Sequence, residues 1–226
     1  MINKITEKLF VSYGLKKENI EYYHEWIYAK KIEEWKNKNK IEALEKDRFK
    51  LYDAVIANES LSDVLYLEFG VYQGESLNYF KNKLTNENCS FFGFDTFEGI
   101  PEKWGTVEAG GYSNHGKIPQ IDDSRVSFIV GLFQDTTIQF IKEQSNLKEK
   151  KKIIHLDADL YSSTLYVLTQ IDQILNDGDI LIFDEFGYNL LHEFKAFEDY
   201  CQAFSVKYNL ISATKKYNQV AIKIER

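Results

Sequence analysis

One stretch constrains this chain more than any other: Tyr66-Leu-Glu-Phe-Gly-Val-Tyr-Gln-Gly-Glu-Ser76, where an apolar run meets two glycines four residues apart and then a helical pattern. Val64 to Phe69 reads as a parallel strand buried on both faces. Gly70 and Gly74 let the backbone turn tightly and approach a ligand with no Cβ in the way. Such a turn cradles a nucleotide-like cofactor, and it also serves as a plain strand-to-helix connection. The G-x-G-x-x-G fingerprint of dinucleotide proteins is absent, since Val71, Tyr72 and Gln73 separate the only two glycines.

The pattern around this turn predicts an α/β fold. Apolar runs near 64–69, 90–94, 126–130, 152–156 and 179–183 alternate with helical patterns near 75–84, 135–145, 162–175 and 191–204. Two further strands, near 206–212 and 219–224, are joined by Thr214-Lys-Lys-Tyr-Asn218 and read as an antiparallel hairpin. The expected architecture is a doubly wound, seven-stranded, mostly parallel sheet closed by that hairpin. Residues 1–60 read as a helical extension or cap, with a contact between copies of the chain as an alternative role, and residues 61–226 as the main domain.

Ligands in doubly wound sheets sit outside the carboxyl ends of the strands. Ser90-Phe-Phe-Gly-Phe-Asp95 ends such a strand in a carboxylate about twenty residues after the glycine turn, where it can accept from a ribose hydroxyl pair or cap the turn Thr96-Phe-Glu-Gly-Ile-Pro101. That spacing suits NAD and S-adenosylmethionine (SAM) alike. Two later strands end in His155-Leu-Asp-Ala-Asp-Leu160 and Leu181-Ile-Phe-Asp-Glu-Phe186. Carboxylates gathered at neighbouring strand ends repel unless a cation sits among them, and hard oxygen donors point to Mg²⁺ or a similar divalent ion. A nicotinamide enzyme has no use for such a cluster, although Asp159 before Ser162-Ser-Thr can also be a helix cap.

Four blocks, LEFGVYQGES from Leu67, GFDTFEGIPEKW from Gly93, VGLFQDT from Val130, and HLDADLYSST with LIFDEF from His155 and Leu181, together resemble the class I SAM-dependent O-methyltransferases. The likeness is to the metal-dependent branch that holds catechol O-methyltransferase and the macrocin O-methyltransferase-like sugar enzymes. It implies a Rossmann-like methyltransferase sheet. It also implies that Glu68, Gly70, Tyr72, Gly74 and Ser76 line the methionine side of SAM, that Asp95 holds the ribose, and that Gln134 reaches the adenine edge. Asp157, Asp184 and Glu185 fall at the metal positions, with Asp157 also near the cofactor, and Asp159 falls at the general base of the sugar branch. Two departures stand out: Glu185 replaces the Asp or Asn of the family, and Leu160 stands where the catechol enzyme has its lysine base. The implied acceptor is a vicinal diol of a sugar in a natural product or a nucleotide-linked or surface-polysaccharide precursor. A metal-independent small-molecule methyltransferase and a non-catalytic SAM-binding module are the competing readings.

Histidine is the usual base, and four copies compete for that role. His155 precedes Asp157 on a strand and reads as a hydrogen-bonded core residue; His192 follows Asp184-Glu185 and is placed to face the acceptor; His115 lies in the Gly-rich loop from Pro101 to Asp123; His24 has no acids beside it. A loop of that length in a compact domain reads as a lid over the site. The formal charge of −7 and the lack of a basic stripe argue against a nucleic-acid partner. The 12 Lys and Arg against 9 Asp and Glu within residues 1–50 read as a solvated helical face. No apolar run is long enough to span a membrane and no leader-like apolar segment follows Met1. With only Cys89 and Cys201 the chain reads as cytoplasmic, and two prolines beside many Lys, Asn and Ile suggest a bacterial source.

Overall fold

The computed structural model describes residues 17–58 and 61–226. In chain order they form α1 (Lys17–Lys38), α2 (Arg48–Asn58), β1 (Val64–Phe69), α3 (Glu75–Lys83), β2 (Ser90–Asp95), β3 (Val126–Val130), α4 (Phe133–Glu143), β4 (Lys151–Leu156), α5 (Tyr161–Ile171), β5 (Ile180–Phe183), α6 (Glu193–Phe204), β6 (Lys207–Ala213) and β7 (Val220–Glu225). The helical pattern expected at residues 2–16 lies outside the described residues, as do residues 59 and 60 at the expected domain boundary.

The strands make one sheet in the order β3-β2-β1-β4-β5-β7-β6. The first five are mutually parallel, and β7 runs antiparallel to both β5 and β6. This is the doubly wound sheet with a closing hairpin that the sequence predicts. Its central strands, VLYLEF and ILIF, are buried at every position, as parallel strands covered by helices on both faces must be.

Side chains alternate across the sheet, so the two faces build two cores. Leu65, Leu67 and Phe69 of β1 join Phe140, Val167, Phe194 and Phe197 on the face covered by α4, α5 and α6, where α1 adds Ile32 and Trp35. Trp35 donates its indole N–H to the Tyr208 hydroxyl at 2.7 Å and packs on Phe186. Val64 and Tyr66 point the other way, into Leu51, Tyr52 and Val55 of α2 and Leu77 and Phe80 of α3. Gly93 in β2 makes the close seating of α3 possible, since a Cβ there would lie 2.8 Å from Val71 and 2.9 Å from Leu77. No helix among the described residues is long and apolar enough to cross a membrane.

Candidate active site

The carboxyl ends of β1, β2, β4 and β5 open into a cavity of about 650 Å³. At one end lies the glycine turn. Gly70 adopts φ +96°, and a Cβ on it would come within 1.8 Å of the Asp157 carbonyl oxygen. The glycine is required because the backbone leaving β4 crosses it. Gly74, at φ +77° ahead of α3, sits under Pro119 of the long loop, which a Cβ would meet at 3.2 Å. Asp95 ties the turn down: Val71 and Tyr72 donate their N–H groups to Oδ2 at 2.8 Å each, and Phe97 donates to Oδ1 at 2.7 Å. The capping role open to Asp95 is therefore present, on a residue that also lines the cavity.

Beneath the cavity floor runs a buried polar chain, and strand periodicity explains it. Tyr66 and Glu68 of β1, His155 of β4 and Asp184 after β5 occupy positions in register with the face that carries α2 and α3. Ser76 donates to Glu68 Oε1 at 2.7 Å, Tyr66 donates to Glu68 Oε2 at 2.5 Å, and Tyr52 donates to Asp184 Oδ1 at 3.2 Å. The Tyr66 hydroxyl lies 2.9 Å from His155 Nδ1 and the Tyr52 hydroxyl 3.4 Å from Nε2. With each tyrosine donating its proton to a carboxylate, the ring nitrogens of His155 are left as the donors in these contacts, an arrangement that favours the imidazolium. Burial opposes that charge, but Asp184 and Glu68 outweigh it and push the imidazolium up to about 10. The sequence reading of His155 as a hydrogen-bonded core residue describes this position.

The far end of the cavity is acidic. Asp157, Asp159, Asp184 and Glu185 all reach its wall. Burial, then the Asp184 charge, raises the carboxyl of Asp157 well above its ordinary value and those of Asp159 and Glu185 to about 7. Asp184 moves the other way: although burial works against it, His155, Arg48 and Tyr52 keep it ionised. Asp159 holds φ +57°, uncommon for a residue with a Cβ, and such strain persists where the surroundings impose it.

Of the residues singled out in the sequence, Gly70, Tyr72, Ser76, Asp95 and Gln134 line the cavity with these acids. Glu68 does not: it is wholly buried below the floor, spent on Tyr66 and Ser76. Gly74 and His192 are also off the wall. His192 accepts the Tyr161 N–H on Nδ1 at 3.1 Å, and burial lowers its proton affinity. The long loop contributes Pro101 and Tyr112 to the wall, next to Ile100 just before it. Trp104 of the same loop reaches Tyr188 with ring centroids 5.6 Å apart.

Three groups escaped the sequence reading. Arg48, at the start of α2, lines the cavity and contacts both Glu75 and Asp184, the latter at 3.6 Å. Tyr52, one turn on, closes the buried chain. Glu193 is fully buried behind the acids, donates nothing while accepting the Glu185 N–H at 2.9 Å, and has its other oxygen unpartnered. Burial and the nearby Asp157 raise it well above its ordinary value. The Arg48-x-x-x-Tyr52 spacing on a helix was the available signal, with Arg48 hidden at the end of a stretch whose mixed charges read as a solvated face.

A family profile described as macrocin O-methyltransferase (TylF) matches residues 45–216. The chain belongs to that family. The methyltransferase fold recurs in solved structures of CalS11, a calicheamicin methyltransferase (22% identity, 76% of this chain and 75% of that one, TM-score 0.56), and the O-methyltransferase NovP (20%, 79% and 78%, 0.56). It recurs again in CmcI with Mg and SAM (18%, 80% and 73%, 0.53). A comparison with curated protein sequences found no match.

As a member of this family the chain is a SAM-dependent methyltransferase, and its cavity fits the cofactor. The volume suits a ligand of that size, and Asp95 ends the second strand at the wall, with Gly131 at φ +144° beside Leu132, Phe133 and Gln134. The cation test gives a divided answer. Asp157, Asp159 and Glu185 offer hard oxygens with no hydrogen-bond donor among the described residues, which suits a divalent ion. Asp184 is committed to Tyr52 and Arg48, and no three His, Cys, Asp or Glu side chains among the described residues converge as a metal cluster.

Proposed function

We propose that this methyltransferase acts on a hydroxyl of a sugar, in a natural product or in a nucleotide-linked or surface-polysaccharide precursor, with Asp159 as the general base. The observation that carries the reading is the Asp159 carboxylate itself. It faces the cavity, has no donor among the described residues, and titrates near 7 because it is buried beside Asp184 and Asp95. A group poised at that pH both accepts a proton and releases it again. The choice of a sugar is supported by the description of CalS11 as a TDP-rhamnose 3'-O-methyltransferase.

SAM, when bound, supplies the methyl group on a sulfonium. The protein then has to align one acceptor oxygen with that carbon and remove its proton. Asp159 takes the proton, the Tyr112 loop excludes water, and the buried chain from Ser76 to Asp184 keeps the floor rigid. A divalent cation would be held by Asp157 and Glu185 and would supply Lewis-acid polarisation of the acceptor oxygen. The test is a methylation screen against nucleotide-linked sugars with and without excess EDTA. Turnover on at least one sugar is expected, reduced by the chelator. Full turnover in EDTA would remove the cation from the reading, and SAM binding without turnover on any diol would favour a non-catalytic module.

A further inference from the structure

The cavity wall carries six carboxylates and, among the described residues, one cation, Arg48. SAM brings a carboxylate of its own, so its amino-acid tail must find a place where that charge is balanced. The family likeness implies the ribose at Asp95, the acid that ends the second strand, and the methionine side of SAM at the first strand-to-helix turn. That turn is Gly70–Ser76, it leads into the positive end of α3, and Arg48 stands beside it.

We propose that Arg48 binds the α-carboxylate of SAM, a role that rests on SAM being the cofactor. The Arg48 guanidinium is shared between Glu75 and Asp184. Glu75 is 64% exposed and free to swing away, whereas Asp184 is anchored by Tyr52. The Glu75 carboxylate therefore stands where the cofactor's carboxylate goes, and the two compete for one fork of N–H donors.

Calorimetry on the full chain separates these ideas with two probes: S-adenosylhomocysteine, which keeps the amino-acid tail, and 5′-methylthioadenosine, which lacks it. Arg48→Met should weaken S-adenosylhomocysteine roughly 10- to 100-fold and leave 5′-methylthioadenosine unchanged, with Arg48→Lys recovering part of the loss. Retained methylthioadenosine binding doubles as proof that the variant folds. Glu75→Gln, an exposed change, should tighten S-adenosylhomocysteine by roughly two- to fivefold without affecting the tailless probe. Equal weakening of both probes by Arg48→Met, or no tightening in Glu75→Gln, would overturn the proposal. A wild-type chain that binds neither probe would overturn the cofactor reading beneath it.

Discussion

Asp95 and Asp159 line the same cavity, and they differ in how the protein treats them. Asp95 receives three backbone N–H groups and fixes the turn that it helps to form. Asp159 receives none, sits at a strained φ of +57°, and is pushed up to about 7 by burial and by its acidic neighbours. A carboxylate that the fold satisfies is part of the scaffold. One that the fold buries without a partner is tolerated only for what it does to a ligand, since an unsatisfied buried charge lowers stability. The two carboxylates thus differ in kind, Asp95 held by backbone N–H groups and Asp159 held among other acids.

The widest gap between the two acids should open in turnover. Asp159→Asn preserves shape and removes the proton acceptor, so kcat should fall roughly 10²- to 10⁴-fold while SAM affinity, measured by calorimetry, stays near the wild-type value. A near-normal kcat would leave Asp159 as a strained helix cap and erase the distinction. The scaffold end should break by folding instead. Gly70→Ala places a methyl group against the Asp157 carbonyl at a positive φ, and denaturant melts should show a loss of roughly 2–5 kcal/mol. A loss below about 1 kcal/mol would mean that the crossing of β1 and β4 is looser than the geometry indicates.

Asp95→Ala lies between these cases because its carboxylate ties down the turn and is also the proposed ribose acceptor. Weaker SAM binding by about tenfold is expected from the lost ribose acceptor, together with a lower melting temperature from the three orphaned N–H groups. Unchanged SAM affinity in a destabilised variant would reduce Asp95 to its capping role.

The same contrast governs what a reader of the sequence can see. The strands, their mostly parallel sheet and the closing hairpin follow from local patterns: buried runs such as ILIF and the alternation of strand and helix. Asp95, Asp157, Asp159, Asp184 and Glu185 were visible because strand ends announce themselves. Glu68 was assigned to the ligand when it lies one layer below, since a strand pattern tells which face a side chain takes but not which hydroxyl waits there. Arg48 and Tyr52 reach the site from a helix that precedes the sheet by several residues, and only tertiary packing brings them under Asp184. Glu193 was missed for a related reason, being a charged residue at a helix start that the fold buries completely.

The smallest effect, and the most direct measure of tension at the acid end, is its pH dependence. Burial and then the Asp184 charge raise Asp159 and Glu185 to about 7 from ordinary values of 3.8 and 4.5. The folded chain therefore holds these protons more tightly than the unfolded chain. Stability from this source is fully present below about pH 4 and is lost as pH rises through 7. His155 also titrates above its ordinary value, and Asp53 and Asp123 titrate low, at about 2, so the wild-type profile mixes several groups. A difference removes them. Asp159→Asn cannot lose the proton, and its melting temperature relative to wild type should climb between pH 5 and pH 7.5, by about 2–4 °C for each kcal/mol that the ionised carboxylate withdraws from the native chain. Added Mg²⁺ should shrink that climb if Asp157 and Glu185 take up the ion, because a cation among the acids relieves the same repulsion. A melting difference that stays flat across this range would show that Asp159 ionises like an ordinary surface carboxylate, and the acid end would then be no more strained than the turn that Asp95 ties down.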